Sequence, residues 1–205
     1  MLKKKCKKKK WLKKYFQDFF VKERNRLNYR SRAWFKLKEI QEKFKILKKG
    51  MSIVDLGSAP GSWSEYAIKI IGKKGWIAAY DIRPMKPIPG VLFFQENINK
   101  KKNFKFFLEN NKKVNLVMSD MAPNISGYST IDIVKMFQLS ELALDLTKEI
   151  LVEKGVFLIK LFQGTGFSEY IQKLRLLFLK VNIYKPNSSR SSSREVFIVA
   201  VGRKI

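Results

Sequence analysis

The chain has 205 residues, with 43 Lys and Arg against 17 Asp and Glu, a net charge of +26 and no histidine. One domain of ordinary size is expected, with 45% hydrophobic residues to build its core. The missing histidines remove the commonest general base and metal ligand, and the lone Cys6 rules out a disulfide within the chain or a cysteine zinc site.

No metal is therefore expected, and cysteine usage fits a reducing, cytoplasmic setting. No apolar run approaches the ~20 residues of a membrane-spanning helix, so no membrane partner is expected. A balance this basic calls for an anionic partner, with nucleic acid ahead of an anionic membrane surface.

Residues 1–14 hold nine lysines and no acid. They read as a mobile lysine-rich tail, because like charges at that density repel. Residues 15–205 still carry +17 and read as a single domain. From Ser31 to Leu47 the pattern is helical, with Trp34, Leu37, Ile40, Phe44 and Leu47 on one broad side. Lys36 lies at the flank of that stripe, where its stem can be buried with the ammonium at a rim.

Strands and helices then alternate. The strands are expected at Ser52–Leu56, Trp76–Tyr80, Val91–Gln95, Val114–Ser119, Val156–Phe162, Lys180–Tyr184 and Glu195–Val201. The helices are expected at Ser62–Ile71, Lys101–Asn110, Ile133–Val152 and Ser168–Phe178. Such alternation predicts an α/β fold, a doubly wound and mostly parallel seven-stranded sheet with helices on both faces. Only a polar loop, Pro186 to Ser193, joins the last two strands, so the last strand is expected to be antiparallel.

The run Ile53 to Trp63 passes from an apolar strand through Gly57 and Pro60-Gly61 into a helix. A glycine turn between strand and helix lets the backbone approach a nucleotide-type ligand. Asp81 closes the second strand, where a carboxylate can accept hydrogen bonds from ribose hydroxyls. The spacing Gly57-x-x-x-Gly61 departs from the dinucleotide G-x-G-x-x-G, which weighs against an NAD enzyme. Asp120 ends the fourth strand over the same crevice. Lys160 interrupts the apolar run Val156–Phe162, where burying a charge is costly. Glu195 opens the last strand, and an antiparallel strand starts where its neighbours end. Asp120, Lys160 and Glu195 therefore converge on one rim.

Five blocks resemble the FtsJ-type family of ribosomal RNA large-subunit methyltransferases. They are Arg30-Ser31-Arg32-Ala33-Trp34-Phe35-Lys36-Leu37, Val54 through Trp63, Ser119-Asp120-Met121-Ala122-Pro123-Asn124, Lys160-Leu161-Phe162-Gln163-Gly164, and Ser188-Ser189-Arg190 through Ser193-Arg194-Glu195-Val196. Together they cover nearly all of the chain after the lysine tract.

The resemblance implies a Rossmann-like methyltransferase fold and an S-adenosylmethionine-dependent enzyme. Its expected substrate is the ribose 2′-hydroxyl of a uridine in 23S ribosomal RNA, on the assembled 50S subunit, and a monomer is expected. It further implies a reaction centre of Lys36, Asp120, Lys160 and Glu195, and cofactor contacts at Gly61, Trp63, Asp81, Asn97 and Asp120. The family carries Asp where Asn97 stands; an amide oxygen still accepts a hydrogen bond from an adenine amino group, so weakened binding is implied. It carries Tyr where Phe197 stands, which leaves Phe197 as a packing wall.

A sulfonium methyl leaves without acid catalysis, whereas a ribose hydroxyl is a weak nucleophile that a base would help. Lys160 is the best candidate for that base; as an ammonium it would instead orient the hydroxyl. The serine/arginine loop at 187–194 reads either as a phosphate contact or as a flexible linker. A pyrimidine C5 methylase needs a cysteine nucleophile near its pocket, a role Cys6 in the lysine tract cannot fill. A non-catalytic RNA-binding assembly factor on the same fold is the rival of a different class.

Overall fold

The structure, a computed structural model, describes residues 19–98, 112–124, 129–190 and 192–204. The lysine tract and the helix expected at Lys101–Asn110 lie outside the described residues.

Helix α1 (Ala33–Phe44) leads into strand β1 (Ser52–Leu56), α2 (Ser62–Ile71), β2 (Trp76–Asp81), β3 (Val91–Gln95) and β4 (Val114–Ser119). These are followed by α3 (Ser129–Ile150), β5 (Leu151–Phe162), α4 (Phe167–Leu177), β6 (Phe178–Tyr184) and β7 (Glu195–Arg203). The seven strands form one sheet in the order β3-β2-β1-β4-β5-β7-β6. All neighbours are parallel except β7, which runs antiparallel to both β5 and β6. The strand order reverses between β1 and β4, so a crevice opens past their carboxyl ends.

Alternation along the strands divides the interior into two clusters. Val54, Tyr80, Val117, Phe157 and Leu161 face α3 and α4. Ile53, Ile77, Leu116, Met118, Leu158 and Phe197 face α1 and α2. Side chains alternate with period two, so Asp120, which follows Met118 by two, and Lys160, which follows Leu158 by two, inherit the α1 face. Residues directly opposite in an antiparallel ladder share a face, which puts Phe197 beside Lys160, its register partner.

Element ends differ from the expected ones where the backbone is unusual. The first helix stops at Phe44 because Lys45 turns left-handed at φ 54°. Leu47 is still buried, because the Gln41 amide donates to its carbonyl at 3.0 Å and accepts from its N–H at 2.7 Å. β5 begins at Leu151, five residues early. The extra residues form an irregularity with Lys154 at φ 60°, between the pairs Val114–Leu151 and Leu116–Val156. Phe178 opens β6 rather than closing α4, since its backbone is already extended. No helix among the described residues is long and apolar enough to cross a membrane.

Candidate active site

The turn after β1 is built around Gly57, at φ +73°. A Cβ there would lie 2.8 Å from Met121 Cγ and 2.9 Å from the Met121 backbone, so only glycine lets the ends of β1 and β4 approach this closely. The Gly57 and Ser58 N–H groups both donate to the Tyr80 carbonyl, at 2.8 and 3.1 Å, and Asp120 N–H donates to the Leu56 carbonyl at 3.1 Å. Three strand ends are thereby tied together. Gly61 is the N-cap of α2 at φ 103°, and Arg30 holds the turn by donating to the carbonyls of Pro60, Lys86 and Pro87.

Over these ends lies a cavity of about 490 Å³, within the range of small-molecule sites. Gly57, Asp81, Asn97, Asp120 and Lys160 are in its wall, with Arg83 and Glu96. Asp81 is almost wholly buried. Its Oδ2 accepts from the Ala59 N–H at 2.8 Å and its Oδ1 from the Arg83 N–H at 2.8 Å. Oδ2 retains a second lone pair for a ligand. Glu96 Oε2 is buried without a hydrogen-bond donor. An acceptor left without a donor is costly, so the wall suits a ligand that brings N–H or O–H groups of its own.

Trp63 is positioned differently from the other expected cofactor contacts. Its side chain belongs to the α1-facing core, only 2% exposed, and the indole N–H donates to the Ala33 carbonyl at 3.0 Å. What Trp63 can offer a ligand is its backbone N–H at the start of α2, where first-turn N–H groups lack intrahelical acceptors; the Gly61 N–H is already given to the Ser58 carbonyl at 2.6 Å, and Gly61 contributes by lacking a side chain.

The four residues of the expected reaction centre come together at the rim. Lys160 Nζ lies 2.8 Å from Asp120 Oδ1 and donates to the Asp120 carbonyl oxygen at 2.6 Å. Lys36 Nζ lies 2.6 Å from Glu195 Oε1, with both side chains nearly buried. The Lys36 ammonium also sits 5.5 Å from the centre of the Phe197 ring, whose other neighbour is Trp63 at 5.7 Å. Phe197 is a packing wall and a cation–π partner. Burial alone would push the Glu195 carboxyl up, but the Lys36 ammonium, with Lys160 adding, outweighs it and holds the group below its usual value. Asp55, behind the glycine turn, goes the other way. It is fully buried, and its pKa is pushed up to about 7, burial outweighing a 2.6 Å hydrogen bond from Ser64.

Within the serine/arginine loop, Asn187 and Ser188 form a turn. Glu39 of α1 accepts from the Asn187 N–H at 2.7 Å and the Ser188 N–H at 2.9 Å. Arg32 donates to the Ser188 carbonyl, and Arg194 gives its carbonyl to the Gln163 N–H at 3.0 Å. Sequence reasoning missed Glu39, Arg32, Arg83 and Glu96. Three of these act on backbone groups distant in the chain, and no periodicity signals such contacts.

A family model for FtsJ-like methyltransferases matches residues 29–203. The chain belongs to that family. Ribosomal RNA large subunit methyltransferase E of Buchnera aphidicola subsp. Cinara cedri (strain Cc) is 51% identical over 207 residues, spanning 100% of this chain and 99% of that protein. A crystal structure of a ribosomal RNA methyltransferase from Plasmodium falciparum superposes with a TM-score of 0.77 at 28% identity, covering 85% of this chain and 98% of that one. Fibrillarin from Aeropyrum pernix, crystallised with S-adenosyl-L-methionine, shares the fold with a TM-score of 0.59 at 15% identity over 82% of this chain and 73% of its own. The family match begins one residue before Arg30 and so takes in α1, which supplies Lys36.

Proposed function

We propose that this chain is an S-adenosylmethionine-dependent methyltransferase acting on the ribose 2′-hydroxyl of a uridine in 23S ribosomal RNA, on the assembled 50S subunit, as a cytoplasmic monomer. The observation that carries the reading is the pairing at the rim. Lys160 is held by Asp120 at the cavity wall, and Lys36–Glu195 stands beside it. Membership of a methyltransferase family and 51% identity to a named ribosomal RNA large-subunit enzyme support the same reading.

Gly61, Trp63, Asp81, Asn97 and Asp120 are the residues that would hold the cofactor. Trp63 would do so through its backbone N–H, Gly61 by keeping the turn free of a side chain, and Asp81, Asn97 and Asp120 from the cavity wall. When bound, S-adenosylmethionine supplies a methyl group already activated as a sulfonium. The protein's task is then the nucleophile. Lys160, in its amine form, would take the proton from the ribose hydroxyl, leaving the oxygen's electron pair for the methyl group as the methyl–sulfur bond breaks. General bases of this kind typically contribute 10²- to 10⁴-fold. Asp120 aims the Lys160 nitrogen through two contacts. Lys36, neutralised by Glu195, orients the ribose without leaving an uncompensated charge at the rim. Proximity and alignment supply much of the remaining acceleration.

The test supplies labelled S-adenosylmethionine with undermethylated large subunits and, separately, with free RNA, and maps the labelled nucleotide. Label on one uridine ribose is expected, on subunits in preference to free RNA. Lys160→Ala should abolish transfer while cofactor binding survives, and substantial turnover by that variant would refute its role. No label on either substrate would favour the assembly-factor reading.

A further inference from the structure

Helix α1 does more than carry Lys36. Glu39 lies one turn further along and commits both carboxylate oxygens to successive backbone N–H groups, those of Asn187 and Ser188, at 2.7 and 2.9 Å. The Tyr184 hydroxyl is 3.4 Å from the same carboxylate. Arg32, at the N-cap of α1, donates to the Ser188 carbonyl. The Ser188 residue is thus gripped from both sides by one helix and is only 1% exposed. Hydrogen bonds to a charged group are the strong ones, and two on adjacent peptides fix the loop's orientation as well as its place.

Arg190, two residues beyond this grip, is exposed. Among the described residues no carboxylate pairs with it. It stands close enough to Arg32 that the two like charges oppose each other, which adds to the effect of burial in lowering the Arg32 pKa. Two guanidinium groups near each other, neither in an ion pair among the described residues, form a seat for an anion.

We propose that Glu39 is a positioning residue for the RNA substrate: by holding the Asn187–Ser188 turn on α1, it presents Arg190, beside Arg32, to a phosphate of the strand that enters the crevice. The inference rests on the RNA-methylating reading of the site. Glu39 touches neither cofactor nor reacting atoms, and its effect on the reaction passes through Arg190.

The decisive variants are Glu39→Gln, Arg190→Ala and the double. The amide of E39Q keeps the volume of the carboxylate but turns one acceptor into a donor that faces a backbone N–H. Arg190 is exposed, so its removal leaves the fold intact. In transfer to undermethylated large subunits, each single variant should raise KM for the subunit about tenfold with kcat within threefold, the size expected for one lost phosphate contact. Cofactor Kd should be unchanged. The double variant should be no worse than either single, because both remove the same contact.

A second arm needs no turnover. Retention of subunits on a filter without cofactor should weaken by the same factor, and the slope of log affinity against log salt should fall by about one. Wild-type KM and salt slope in E39Q would overturn the proposal. So would effects that multiply in the double variant, or a loss of cofactor affinity in parallel with KM, as general destabilisation would give. If the wild type transfers no label, the functional reading fails by itself, and the binding arm still decides the role of Glu39.

Discussion

Replacing Asp55 by asparagine isolates the cost of a buried acid behind the glycine turn. Asp55 is fully buried, its Oδ2 accepts from Ser64 at 2.6 Å, and its Oδ1 has no donor. Burial is the largest cause of its raised pKa, and the Asp120 and Asp81 carboxylates push the same way. In the unfolded chain the group titrates near the ordinary value of about 3.9. Between pH 4 and the folded value of about 7, the folded state keeps a proton that the unfolded state has lost.

A group that binds more protons when folded costs stability as pH rises. The loss accumulates between those two values and is constant above them. At 1.36 kcal/mol per unit, three units give about 4 kcal/mol as a ceiling. The amide of D55N accepts the Ser64 hydrogen bond and does not titrate. Urea unfolding of both proteins at pH 5 and pH 8 is the assay. The stability of D55N relative to wild type should grow by about 2–3 kcal/mol across that interval, since groups that do not interact with Asp55 cancel in the difference. Parallel pH profiles would refute the reasoning, whatever the constant offset between the two proteins.

Three further outcomes follow from the site. Lys36→Ala strands Glu195 as a nearly buried, uncompensated carboxylate; a loss of about 3 kcal/mol is expected in denaturant melts, with transfer down about 100-fold. A wild-type rate would make Lys36 a packing lysine only. Gly57→Ala forces a left-handed alanine against the Met121 backbone and should cost about 3 kcal/mol and at least tenfold in cofactor Kd by calorimetry. Gly50→Ala, at φ +79° with nothing within 4 Å, should lose only about 1 kcal/mol, which separates conformation from crowding. Affinity for large subunits should fall steeply between 50 and 200 mM salt, as roughly six or more phosphate contacts would require; a flat response would remove the electrostatic account of substrate binding.

The sheet was legible because its strands are β-branched, apolar runs of strand length set apart by glycine turns. Lys160 was legible for a related reason: an ammonium among Leu158, Ile159, Leu161 and Phe162 breaks the pattern that surrounds it. Period-two alternation then places it on the α1 face with Asp120. Element ends governed by single backbone angles were not legible, because Lys45 and Lys154 adopt positive φ without being glycine. Long-range contacts to backbone were hidden for another reason. The Glu39 carboxylate meets peptide groups 148 and 149 positions away, and a peptide N–H leaves no trace in the side-chain pattern. Trp63 was legible as part of the turn, but the burial of its indole against Ala33 depends on how α1 packs on α2.

The sheet order also sets a timetable for the nascent chain. β7 is synthesised after β6 yet lies between β5 and β6, and β6 has no other neighbour among the described strands. While the chain leaves the ribosome, β1, β2 and β4 can already align, bringing Gly57, Asp81 and Asp120 together, while β6 waits for its partner. Glu195 arrives only as β7 threads antiparallel into that gap, and Lys36, held on α1 since the beginning of synthesis, acquires its counterion last. Synthesis therefore delivers Gly57, Asp81 and Asp120 ahead of Glu195, and the reaction centre gains its last member only with β7 in place between β5 and β6.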